Sequence, residues 1–103
     1  MSKFMVNVVL HESDAAETLE RLGTEMRKRG FACELNGKKS AYQLPQGNYL
    51  FIGDLDAADV RQRAVAAAES IGQPFGVMVA KVDGWSVMGL KRVPARQAGG
   101  SGA

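Results

Sequence analysis

Scarcity is the first informative property of this 103-residue chain, which has one cysteine, one histidine, one tryptophan and three prolines. With Cys33 alone, no intrachain disulfide can form, and a reducing cytoplasm is the expected compartment. With His11 alone, no histidine cluster can build a metal centre. No apolar run approaches the roughly 20 residues of a membrane helix. The start, Met1 to Leu10, is too short and too quickly followed by charge to read as a signal peptide. Charge of one sign is also missing: 13 Lys and Arg against 11 Asp and Glu leave a formal net charge of +2. Attraction to a polyanion must then come from local clustering of cations. Gly47, Gly53, Gly76 and Gly89 fit neither a phosphate loop nor a dinucleotide fingerprint, so no cofactor is implied. No serine belongs to a Ser/His/Asp constellation.

What is present is ordinary globular material, 46% hydrophobic and 23% charged. A chain of this length buries roughly 65% of its unfolded surface, enough for one core without a metal. Lys3 to Leu10 alternates, with Phe4, Val6, Val8 and Leu10 opposite Met5, Asn7 and Val9. That is a strand with two largely apolar faces.

Ser13 and Asp14 announce a helix, with Asp14 as N-cap and Glu17 in capping-box position. Leu19, Leu22 and Met26 make its buried stripe, and Gly30 its stop. Glu17–Arg21 and Arg21–Glu25 are expected ion pairs at i,i+4. Phe31–Leu35 reads as a short strand and Asn36-Gly37 as a hairpin turn, although Lys38 and Lys39 lengthen it. Ala41–Leu44 and Tyr49–Gly53 read as further strands.

Asp56 caps a second helix, with Leu55 and Val60 as its hydrophobic staple. Val60, Ala64, Ala67 and Ile71 form its stripe. Phe75–Val82 alternates again, and Trp85–Val93 is a candidate extra strand. From Pro94 the Ala, Gly, Ser and Gln composition reads as a disordered tail, leaving one domain over residues 1–93.

The order βαββαβ predicts an α+β, ferredoxin-like sandwich, an antiparallel sheet with both helices on one face. The other face, with Met5, Val9 and Met78, then needs cover. A homodimer through that face or through the C-terminal strand is expected; the competing arrangement folds the C-terminal segment over its own sheet.

His11, beside Glu12, Ser13 and Asp14, is the candidate general base. A plain loop histidine ahead of a helix is the alternative. Glu12, Asp14 and Glu17 have oxygens for a cation, but capping accounts for Asp14 and Glu17, so no metal site is assigned. Arg21, Lys28, Lys91 and Arg92 are the candidate phosphate contacts, with Arg27, Arg29, Lys38, Lys39 and Arg96 nearby in sequence. Glu20 and Glu25 interleave with the helix cations, as on an ordinary solvated helix face. Tyr42, Tyr49 and Trp85 are aromatic groups suited to stacking on bases or to packing.

Five segments together carry a resemblance: FMVNVVLHE at 4–12, MRKRGF at 26–31, YQLP at 42–45, NYLF at 48–51 and GLKRV at 89–93. They resemble a small family of bacterial proteins related to the antitoxin endoribonuclease GhoS. Those proteins share a ferredoxin-like fold with the small CRISPR-associated nucleases. The resemblance implies binding or cleavage of single-stranded RNA, without metal. His11 would be the base for the ribose 2′-hydroxyl, and Arg21 and Lys28 would contact phosphate. Where the CRISPR-associated relatives place a metal-binding aspartate near the end of the first strand, this chain has Asn7, His11 and Glu12. Arg21 matches one of the closely spaced arginines of the GhoS first helix, and Gly23 replaces another. A non-catalytic dimeric interaction or regulatory module is the rival expectation.

Overall fold

The computed structural model describes residues 2–12, 15–36, 41–84, 86 and 88–93. Ser13, Asp14, Lys38, Lys39, Trp85, Arg96 and the expected tail lie outside the described residues. The order is β1 (Ser2–Leu10), α1 (Ala16–Lys28), β2 (Glu34–Asn36), β3 (Ala41–Gln43), β4 (Asn48–Gly53), α2 (Ala57–Glu69), β5 (Phe75–Val82) and β6 (Arg92–Val93). This is a mixed α+β protein with two helices and antiparallel sheets, consistent with the expected ferredoxin-like sandwich.

The main sheet runs β4-β1-β5, with β1 in the centre and antiparallel to both neighbours. Paired residues share a face. Phe4 lies opposite Phe51, and Val6 opposite Tyr49 and Val79. That face carries the core, where Phe4, Val6, Leu22, Met26 and Val60 are fully buried. Both helices pack there, α1 through Leu22 and Met26 and α2 through Val60, Ala64, Ala67 and Ala68. The alanines let α2 approach the strands closely. At about 25 cal/mol per Å² of apolar area removed from water, this cluster is the dominant favourable contribution to folding.

The end of α1 follows the sequence closely. Gly30 takes the left-handed conformation at φ 94°. The Gly30 and Phe31 amides donate to the Arg27 and Met26 carbonyls, and Phe31 joins the core beside Met26. This is the closing pattern of a Schellman motif with its hydrophobic contact. The beginning of α1 differs from expectation. Ala15 occupies the N-cap position, with no side-chain cap, so Glu17 falls at the second helical position rather than the third. The Asp56 cap holds as expected, its carboxylate accepting from the Asp59 amide at 2.8 Å.

The second departure is the small sheet. Ala32 bridges Leu50 through two hydrogen bonds of 2.8 Å, which closes part of the outer edge of β4. The chain then leaves the plane, and β2 pairs with β3, which pairs with β6. Leu35, Leu44 and Leu50 form a second cluster, packed by Met5 and Leu90. Met5 and Leu50 lie opposite each other on the helix-free face of the main sheet. The hairpin and the C-terminal segment therefore fold over one end of that face. Among the described residues of the expected strand Trp85–Val93, only Arg92–Val93 is a strand, and it pairs within the chain.

Candidate functional site

The main sheet separates the candidate catalytic and binding residues into two layers. His11 follows β1, its amide donating to the Pro74 carbonyl at 2.9 Å. Its imidazole lies over Gly76, where an added Cβ would sit 3.4 Å from Nε2. Gly76 pairs with Val9, on the helix-free face. Among the described residues no carboxylate is hydrogen-bonded to His11, so nothing there fixes the tautomer that a general base needs.

Arg21 and Lys28 project from α1, in the helix layer. Lys28 is also about 18 Å along the helix from its start, which is the end nearest His11. The structure thus does not bring His11 together with Arg21 and Lys28. The expected pairs of Arg21 with Glu17 and Glu25 are absent among the described residues. Glu25 instead binds Lys28 at 3.1 Å and Arg29 at 2.8 Å. The Arg29 hydrogen bond, then that of Lys28, holds the Glu25 carboxyl below its ordinary value. Arg27 turns to Cys33, 3.4 Å from Sγ, and to Thr24. A cleft of about 560 Å³ beside α1 is lined by Glu17, Glu20 and Glu25 as well as by Arg21 and Arg27, so it is electrostatically mixed. Lys91 and Arg92 are exposed on the small sheet, Arg92 opposite Tyr42.

Of the aromatic residues suited to stacking, Tyr49 is in the core, Tyr42 is half-buried on the small sheet, and Trp85 lies outside the described residues. Phe4, Phe31, Tyr49 and Phe51 are buried in the core. Burial pushes the Tyr49 phenol up to about 12. Among the described residues no group of three His, Cys, Asp or Glu side chains could hold a metal ion, and no helix is long and apolar enough to cross a membrane.

What the structure gathers instead is apolar surface. Val9 and Met78, each at least 45% exposed, lie together on the helix-free face beyond the cover of the small sheet, and exposed Ile52 lies apart from them on β4, opposite Lys3. Where the two sheets meet, a cleft of about 360 Å³ is lined by Met5, Leu35, Leu44, Asn48, Met88 and Leu90 among others. Beside it Asn7 donates to Asn48 Oδ1 at 3.2 Å. Among the described residues β5 pairs only with β1, which leaves its outer edge open. The sequence pattern showed Met78 and Val9 without cover; it did not show that β5 is an edge.

No protein-family model matches the chain, and no curated protein matches it.

Proposed function

We propose that this domain is a non-catalytic protein-interaction module that works through the helix-free face of its main sheet and the adjoining β5 edge. One observation carries the reading: exposed Val9 and Met78 lie beside each other on the helix-free face and run up to the outer edge of β5, which no strand among the described residues pairs. Patches of this kind on small domains mark contact sites. The separation of His11 from Arg21 and Lys28 across the sheet supports it.

RNA binding, with metal-independent endoribonuclease activity as the resemblance implies, is the second reading. It is favoured by the placing of Lys91 and Arg92 on the small sheet, which rests on the same face of the main sheet as His11. Base abstraction at the 2′-hydroxyl would then fall to His11, and phosphate contact to Lys91 and Arg92 rather than to the helix cations.

Titration of the purified chain with mixed single-stranded RNA at two salt concentrations separates the two. The module reading expects no binding that weakens steeply with salt and no cleavage. Binding with a steep salt slope, lost in Lys91→Ala/Arg92→Ala, would move the assignment to RNA.

A further inference from the structure

The main-chain polarity of β5 can be read from two hydrogen bonds. In an antiparallel pair, hydrogen-bonded and non-hydrogen-bonded residue pairs alternate along the strand. The His11 amide donates to Pro74, so His11 and Pro74 form a hydrogen-bonded position. Counting along the register, Gly76, Met78, Ala80 and Val82 direct their N–H and C=O groups at β1. Val8 donating to Gly47, on the β4 side, fixes the same phase independently. Phe75, Val77, Val79 and Lys81 therefore direct their N–H and C=O groups outward, where no strand among the described residues meets them.

Resting on the interaction-module reading, we infer that the partner is a second copy of this chain, paired antiparallel along β5 about a twofold axis at Met78. Three features of the strand select this occupant. First, the arrangement sets Phe75 opposite Lys81 and Val77 opposite Val79. Every outward N–H then meets an outward C=O of the other copy, and no group of those four residues is left over. A centre at Val79 leaves Phe75 without such a partner. Second, Lys81 is the only charge on β5. A lone edge lysine ordinarily deters pairing. Here the axis at Met78 holds the two Lys81 side chains about 20 Å apart along the strands, whereas in-register parallel pairing would stack them. Third, the two Met78 side chains meet at a non-hydrogen-bonded position, with Cα atoms about 4.5 Å apart. They bring the exposed Met78 and Val9 of both copies into one apolar strip across a six-stranded sheet. The opposite edge is less available, since Ala32 already holds Leu50 of β4.

Sedimentation of the full chain over a concentration series tests this, with Met78→Glu alongside. Met78 is 67% exposed, so its replacement leaves the core intact. The expected result is a dimer for the wild type and a monomer for Met78→Glu, because two carboxylates would face each other at the axis. On a Cys33→Ser background, Met78→Cys should give a disulfide-linked dimer on oxidation, and Ile52→Cys should not. Amide exchange at Phe75, Val77, Val79 and Lys81 should slow with concentration in the wild type. A wild type monomeric throughout, or amides at those four residues that stay fast, overturns the proposal. A dimer that Met78→Glu leaves intact overturns the β5 site while leaving the interaction-module reading, which the RNA titration judges separately.

Discussion

Tyr49 shows how much one side chain depends on its surroundings. It pairs with Val6 in the register of β4 with β1, and it is buried against the α1 layer. Burial disfavours the phenolate, so the folded protein keeps the proton up to about 12, against an ordinary value of 10.0. Between those values the unfolded chain binds fewer protons than the folded one. Stability contributed by the neutral phenol is therefore complete below pH about 10 and is lost as pH rises toward about 12. Tyr49→Phe should remove this part of the alkaline destabilisation, seen as a smaller loss of denaturant midpoint on raising the pH through that window. A loss equal to the wild type would contradict it. His11 belongs to the same scale. The sequence set it beside carboxylates, but its imidazole lies against Gly76, because the β1–β5 ladder runs on through His11 and Pro74 and keeps the His11 side chain on the face of Val9 and Gly76.

The two helices contrast at their beginnings. Asp56 caps α2, and Asp56→Ala should cost about 1 kcal/mol. At α1 the N-cap is Ala15, with φ −62° and ψ 136°, a conformation suited to a capping side chain. Ala15→Asp should then stabilise the protein by about 0.5–1 kcal/mol, read as a rise in thermal or denaturant midpoint. No gain would mean that another group already satisfies the first-turn amides. Stripes, stops and one cap were legible in the sequence because their rules span only three or four residues. The start of α1 was misplaced by one residue because several polar residues precede the stripe and each is a plausible cap. The strands were legible as alternations. Their neighbours were not, since pairing joins residues such as Ala32 and Leu50 that are far apart in the chain.

At the scale of the molecule the described residues form two clusters of unequal size. The larger holds both helices and the main sheet, and the smaller holds Leu35, Leu44 and Leu50 under the hairpin. A Leu22→Ala substitution should cost about 2–5 kcal/mol of global stability. The small sheet should open by itself at lower free energy. Native-state exchange at the Gln43 amide, which donates to Lys91, should thus proceed through a cheaper opening than at the Val8 amide, which lies in the central strand. Equal protection at both sites would show one cooperative unit.

The sequence by itself determined the class of fold, the residues of the core and the helix-covered face, because burial patterns repeat over two or three to four residues and are written locally. Tertiary structure alone decided that His11 lies across the sheet from Arg21 and Lys28, that the C-terminal strand pairs within the chain, and that β5 is an edge among the described residues. Each of these depends on which strands become neighbours, and alternation records the two faces of a strand but not what lies beside it.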